Sequence, residues 1–262
     1  MAYYKGSISF GLVYIPITLQ STIKNNDIGF NLIDKKTMSR IKYKKTCVGC
    51  DDKEVQQENI VKGYEYEKDK YVLFEDKDFE KIKSAKDESI VIDCFVNLNE
   101  IDPIYYDKPY YVVPTGAEKA FQILLSAMEK GKKAAIAKTV LGTKETLIAI
   151  RSKGGQMLLN TLFFAEEVQK NPAKEFETKL NKKLEKELEM AKSIIDNMTE
   201  KFEPEKYKDE YREKLQKAIE QKIAGKEILS PKKKRIVKVG NLMDALAKSL
   251  DILSKKKAVR GS

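Results

Sequence analysis

The sequence contains no histidine, no tryptophan and only three cysteines. Without histidine, the Ser-His-Asp and Cys-His catalytic arrangements, the two-histidine zinc proteases and the Cys2His2 zinc fingers are all excluded. Neither the P-loop motif nor the glycine pattern of dinucleotide-binding folds occurs. Three cysteines in 262 residues are typical of a reducing compartment rather than of a disulfide-stabilised secreted protein. No apolar run approaches the roughly 18 residues that a membrane-spanning helix needs.

The net charge of +10 is concentrated in two places. Residues 226–262 hold 11 basic and three acidic side chains, so the rest of the chain is nearly neutral. Within this nearly neutral part, residues 35–45 contain six bases and no acid. We call these residues the basic segment, and its bases are Lys35, Lys36, Arg40, Lys42, Lys44 and Lys45. A basic chain without catalytic motifs favours binding to an anionic polymer. A lysine-rich surface that serves solubility is the alternative.

The order of residues in Arg40–Lys44 alternates strictly between basic and apolar. This pattern predicts a strand with three bases on one face and with Ile41 and Tyr43 on the other. Bases about 6 to 7 Å apart along an exposed strand can follow a phosphate backbone. The alternative is the solvent-facing side of a half-buried strand, and the absence of any acid favours phosphate binding.

Residues 1–168 predict a mainly antiparallel β structure with one helix. The alternating segment Ser7–Leu19 predicts a strand interrupted by Pro16. The helix is expected to begin at a capping box formed by Thr115 and Glu118, to end near Gly131, and to pack on the sheet through one apolar stripe. Further predicted strands are 41–43, 71–74, 90–96, 110–113, 134–141, 146–151 and 157–164, with turns at Gly142-Thr143 and Gly154-Gly155.

The composition changes after Val168, where charged helices with narrow apolar seams are predicted. Asn171-Pro172 is typical of a helix start, and Pro204 is expected to begin a second helix that ends at Gly225. Such helices need a partner surface, so we expect an arm that helps to form a dimer; packing on the chain's own sheet is the alternative. The tail carries the basic run Lys232, Lys233, Lys234 and Arg235, followed by a short amphipathic helix capped by Asn241.

Two further patterns carry possible metal chemistry. Cys47 and Cys50 have the spacing of half a zinc knuckle, but structural zinc needs four ligands and only the distant Cys94 remains. A turn without metal is therefore favoured, and zinc shared between two chains is the alternative. Glu203 and Glu205 resemble part of a nuclease signature, yet acids are expected at a helix start for electrostatic reasons alone.

Four strings of residues resemble the bacterial Ku proteins, in the same order along the chain. They are KGSISFGLVYIP (5–16), IVKGYEYE (60–67) followed by YV (71–72), EIDPIYY (100–106) with KPYY (108–111), and KFEPEKY (201–207). The resemblance covers about residues 5–250 and implies an α+β, mainly β fold. It implies a β-barrel core over residues 1–168 with a bridge at about 34–66, a helical dimerisation arm over 169–228 and a basic tail over 229–262.

The same resemblance implies a function without catalysis or cofactors. It implies a homodimeric ring that binds double-stranded DNA ends without sequence preference and recruits and stimulates an ATP-dependent DNA ligase in non-homologous end joining. Such a protein is expected in the cytoplasm, associated with the bacterial nucleoid and not with membranes. The expected DNA-binding residues are the basic segment together with the run 232–235. A metal-dependent nuclease and a nonspecific architectural DNA-binding protein are the alternatives.

Overall fold

The structure is a computed structural model that describes residues 2–82, 89–141, 144–173, 184–228 and 242–260. The chain divides into two compact units, residues 1–170 and residues 171–262. The predicted turn at Gly142-Thr143, the basic run 232–235 and the predicted cap Asn241 lie outside the described residues.

The first unit is a closed seven-stranded barrel with the order β1-β2-β8-β11-β10-β9-β7. Its strands are β1 (Ala2–Phe10), β2 (Val13–Ser21), β7 (Ser89–Asn97), β8 (Tyr106–Pro114), β9 (Lys133–Leu141), β10 (Lys144–Lys153) and β11 (Gln156–Leu162). This confirms the expected barrel, and it confirms the strands predicted in the second half of the unit. Gly154 and Gly155 form the β10–β11 turn with φ of 59° and 73°, a left-handed backbone that favours glycine.

The barrel closes where β1 pairs with β7, and this is its one parallel pair. Ile8 lies opposite Ile90 across this seam, and both side chains are fully buried. Beside them, the Ser7 hydroxyl donates to Ser89 Oγ at 3.0 Å, which satisfies a polar group that is itself buried. The seam joins segments about 80 residues apart, so its formation depends on the tertiary fold.

The barrel core is filled by alternating inward-facing residues and by helix α2 (Glu118–Gly131). Phe121, Leu124 and Met128 form the buried stripe of the helix, as its sequence spacing predicts. The predicted capping box is wrong, because α2 begins after Ala117, whose backbone is left-handed and whose side chain cannot accept a hydrogen bond.

The segment Ser7–Leu19 is broken at Gly11, where the chain reverses, and it continues as a strand through Pro16. Gly11 has φ of 56° and supplies the left-handed turn between β1 and β2. Pro16 lies within β2, opposite Ser7, and its carbonyl accepts a hydrogen bond from Thr115 N at 2.9 Å. A strand residue directs its nitrogen and its carbonyl to the same side, so the nitrogen of Pro16 also faces β8. The hydrogen-bonded pairing of β2 with β8 starts only at the next residue, Ile17. The proline therefore removes no ladder hydrogen bond, and the predicted interruption is wrong.

A 67-residue insertion, residues 22–88, leaves the barrel between β2 and β7. It contains the hairpins β3 (Thr46–Cys47)–β4 (Lys53–Glu54) and β5 (Lys62–Glu67)–β6 (Lys70–Phe74), and helix α1 (Asp76–Ile82). Strand β6 was predicted and β5 was not. The described part of the insertion has no fully buried residue, so it is a largely solvent-exposed excursion.

The second unit contains α3 (Glu185–Met198), α4 (Glu210–Ile223) and α5 (Leu242–Arg260), and α3 packs against α5. Pro204 does not begin α4. It forms a single 3₁₀ turn, and α4 begins after Asp209, whose carboxylate accepts from Arg212 N at 2.9 Å. The tail helix is longer than expected, because its backbone continues through the lysines at 255–257. None of the described residues of this unit is fully buried.

Among the described residues, no helix has both the length and the apolar character needed to cross a bilayer.

Candidate nucleic-acid interface

The basic segment lies in the insertion, and its first half forms a small closed loop. Ile41 N donates to the carbonyl of Leu32 at 2.9 Å, and Asp34 N donates to the carbonyl of Ser39 at 2.9 Å. Ile33 and Arg40 form an isolated β-bridge between these two bonds. The loop therefore carries two lysines at its tip and an arginine on its returning arm.

Asp34 organises the tip of this loop. Its Oδ2 accepts hydrogen bonds from Thr37 Oγ1 at 2.6 Å and from Thr37 N at 3.0 Å. These bonds stabilise the carboxylate and lower the pKa of Asp34 below its ordinary value. The side chain thus fixes the turn that presents Lys35 and Lys36.

Replacing Asp34 with alanine is expected to open this loop. Because the side-chain bonds to Thr37 are lost, tryptic cleavage after Lys35 and Lys36 should rise severalfold, when opening is fast relative to cleavage. Asp34→Asn is the matched control, since it loses the same charge and keeps a side-chain acceptor. Equal cleavage of the wild type and Asp34→Ala would show that Asp34 does not hold the loop.

The strand predicted at Arg40–Lys44 is wrong. Beyond the bridge at Arg40, residues 41–45 are not in a strand, and Ile41 and Tyr43 are 50% and 85% exposed. Alternation produces a strand only where one face can be buried and an edge can be paired, and this part of the insertion offers neither. The half-buried strand considered as the alternative is excluded for the same reason.

All six bases of the basic segment are exposed, but they differ in their partners. Lys44 Nζ lies 2.6 Å from Glu54 Oε2 across the β3–β4 hairpin, and this bond with its opposite charge raises the pKa of Lys44. Lys45 Nζ donates to Gln57 Oε1 at 2.7 Å. Within the described part of the chain, the other four bases form no ion pair: Lys35, Lys36, Arg40 and Lys42. These four are available to an external anion.

One exposed base near this surface was not predicted. Lys53 lies on β4 opposite Cys47, on the same hairpin that carries Lys44 and Lys45. Because Lys53 is flanked in sequence by Asp51, Asp52 and Glu54, it does not belong to an acid-free basic run. Only the pairing of the two strands brings it beside the basic segment.

The two metal patterns remain incomplete in the described structure. The sulfurs of Cys47 and Cys50 lie 3.0 Å apart, and no group of three or more potential metal ligands occurs among the described residues. The nearby Cys47 thiol raises the pKa of Cys50 through a hydrogen bond and charge repulsion. Lys206 Nζ lies 3.3 Å from Glu203, so that carboxylate is paired with a base.

Comparison with known proteins assigns the chain to a family. Residues 9–190 match the sequence profile described as the Ku70/Ku80 beta-barrel domain. A protein of Lachnoclostridium phytofermentans named non-homologous end joining protein Ku is 47% identical over 254 residues, covering 97% of both chains. Proteins with the same name from Bacillus subtilis and Archaeoglobus fulgidus are 36% and 39% identical, over 95% of this chain and 81% and 98% of their own lengths.

These names describe a role in end joining and no catalysed reaction. The profile match covers more than half of the chain and includes six of the seven barrel strands in full. The chain therefore belongs to the Ku family.

Proposed function

We propose that this chain binds the ends of double-stranded DNA without sequence preference, as a ring-shaped homodimer that acts in non-homologous end joining. The observation that carries the proposal is the exposed, largely unpaired basic segment on a long insertion from a closed barrel. Lysine and arginine side chains gain affinity by displacing counterions from phosphates, and this gain does not depend on base sequence. The names of the relatives refer to non-homologous end joining, which supports a role in that process.

A dimer is supported by the exposed apolar side chains of the second unit. Ile195, Met198, Tyr211 and Ile223 are each more than 60% exposed on helices α3 and α4. Helices that bury so little apolar surface depend on further packing for their stability. We assign the missing partner to a second copy of this chain, so that residues 169–228 act as a dimerisation arm.

A ring explains a preference for breaks without any base recognition. A closed ring can load only by threading onto a free end, so its specificity is topological. In this proposal the insertion, including the expected bridge at 34–66, crosses over the duplex. The bound dimer recruits and stimulates an ATP-dependent DNA ligase in the bacterial cytoplasm, where the broken nucleoid DNA is its substrate.

The decisive experiment compares linear duplex DNA with covalently closed circles of the same sequence. We expect the protein to bind labelled linear DNA at roughly 0.15 M salt, where nonspecific contacts are weakened. Unlabelled linear DNA should displace this probe at a concentration at least about tenfold lower than unlabelled circles require. Cutting the relaxed circle once with a restriction enzyme provides the matched control, because it creates two ends and leaves sequence and length unchanged. Equal competition by both forms would contradict a threaded ring.

The two alternative functions have separate outcomes. Neutralising Lys232, Lys233, Lys234 and Arg235 together would remove most of the affinity of an architectural protein that binds through its tail, whereas a ring would retain its preference for ends. A nuclease would cleave DNA in the presence of Mg²⁺ or Mn²⁺. No specific observation favours either alternative, and the described residues contain no cluster of carboxylates suited to a metal.

A further inference from the structure

Two thiols are already in contact at the tip of the β3–β4 hairpin. The sulfurs of Cys47 and Cys50 are 3.0 Å apart, and both cysteines are free. Cys50 is exposed and Cys47 is half-buried, so reagents in solution reach the pair. The 3₁₀ turn Val48–Cys50 brings the sulfurs together, and Asp51 continues the turn with φ of 54°.

The described residues provide no set of metal ligands that includes these two sulfurs. A structural zinc site takes four ligands, and the described residues contain no group of three or more candidates. The third cysteine, Cys94, lies on the barrel strand β7, outside the insertion, and is also free. The pair at the hairpin tip is therefore left with the chemistry of two neighbouring thiols.

The hairpin that carries this pair has little else to hold it. Each of its strands has two residues, and hairpins of this size are marginally stable in water. Val48, at the turn, is 92% exposed, so no apolar packing covers the tip. Its closing contacts include the exposed Lys44–Glu54 ion pair, the exposed bond from Lys45 Nζ to Gln57 Oε1 and the bond from Val55 N to the carbonyl of Lys45. Exposed ion pairs contribute little.

We propose that Cys47 and Cys50 form a reversible oxidation site, and that their disulfide stiffens the hairpin carrying Lys44 and Lys45. The oxidant is a low-molecular-weight disulfide of the glutathione type. One cysteine thiolate attacks it, forms a mixed disulfide and releases one thiolate. The second cysteine, after losing its proton, attacks the protein sulfur of the mixed disulfide and releases the other thiolate. Two cysteine thiols are oxidised by two electrons, and the small disulfide is reduced to two thiols.

The stiffening follows from the position of the new bond. A cross-link removes conformational freedom from the open forms of the segment that it closes. Because the two sulfurs are already adjacent, closing the bond requires only a small movement of the folded hairpin. The proposal concerns the thiols and the hairpin, and it does not depend on DNA binding.

The test treats the full-length reduced protein with oxidised glutathione and then blocks the remaining thiols with N-ethylmaleimide. Complete tryptic digestion after denaturation releases the peptide Thr46–Lys53, which contains both cysteines. We expect this peptide to be two hydrogens lighter than its reduced form and to carry neither glutathione nor maleimide. Cys94, which has no neighbouring thiol among the described residues, is expected to carry one glutathione and serves as the internal control.

Limited trypsin digestion of the folded protein measures the stiffening. We expect oxidation to slow cleavage after Lys44, Lys45 and Lys53 at least threefold, and dithiothreitol to restore the original rate. Cleavage after Lys68, in the turn of the cysteine-free β5–β6 hairpin, should not change. In Cys50→Ser, Cys47 should carry glutathione and oxidation should leave the cleavage rate unaltered.

Three results would overturn the proposal. The first is a Thr46–Lys53 peptide that carries two separate glutathiones. The second is an unchanged tryptic rate after the disulfide has formed. The third is stoichiometric Zn²⁺ in the protein as isolated, released only when both thiols are modified, because that result would commit the sulfurs to a metal.

Discussion

Replacing Lys36, Arg40 and Lys42 with glutamate is expected to weaken binding to linear duplex DNA by about a hundredfold at roughly 0.1 M salt. These three bases are exposed and form no ion pair within the described part of the chain. In the proposed interface, each reversal would remove one phosphate contact and add a repulsive charge. Lys44 is left unchanged, because glutamate there would lie against Glu54 and disturb the β3–β4 hairpin.

The measurement is a titration of end-labelled duplex DNA by the full-length protein at several salt concentrations. Besides the loss of affinity, the plot of log affinity against log salt should become less steep, its slope shrinking in magnitude by about 5, because the reversals in both chains of the proposed dimer remove six phosphate contacts at about 0.9 each. The matched control reverses three exposed lysines of the first unit, Lys119 and Lys130 on α2 and Lys138 on β9, and therefore changes the net charge by the same amount. If both triple variants lose affinity equally, the basic segment has no special role.

Ile8→Ala is expected to destabilise the barrel by about 3 kcal/mol, since truncating a fully buried isoleucine removes apolar burial and leaves a cavity. Ile8 is 0% exposed and lies opposite the equally buried Ile90, at the one parallel pair that closes the barrel. The cavity would therefore form at the seam that joins the first strand to the strand following the insertion. Chemical denaturation followed by circular dichroism and tyrosine fluorescence measures the loss, because the chain has 13 tyrosines and no tryptophan.

Ile123→Ala is the matched control for this substitution. Ile123 lies on α2, but its side chain is 60% exposed, so the same truncation should change stability by no more than about 0.5 kcal/mol. A similar small effect in Ile8→Ala would mean that the β1–β7 seam is not part of the cooperative core. Unfolding of the second unit must be followed separately, because two units need not unfold in one transition.

The predictions from sequence succeeded where a periodic pattern had a surface to bury. Strands β7, β9 and β10 and the stripe of α2 were identified because alternation and helical spacing reflect one face packed in the barrel core. The strand at Arg40–Lys44 failed because its alternation has no core to face. Strand β5 was missed, since Tyr64 and its neighbours are exposed on both faces and carry no burial signal.

Local signals at element ends were less dependable than periodicity. Thr115 and Glu118 match a capping box in sequence, but the helix cap lies two residues later, at the left-handed Ala117. Pro16 predicts a break in the strand, yet its nitrogen faces a side of β2 where no ladder bond exists at that position. Both errors arise because a short motif does not specify which neighbour its backbone groups will meet.

By itself, the sequence determined the basic segment, the absence of histidine-dependent chemistry and the alternation that fills a barrel. Only the tertiary structure decided which bases are available, because Glu54 neutralises Lys44 across a hairpin while four other bases face solvent without an ion pair among the described residues. It also decided that Ile8 meets Ile90 to close the barrel. Charge and periodicity are local properties of a chain, whereas pairing between distant segments depends on where the whole fold places them.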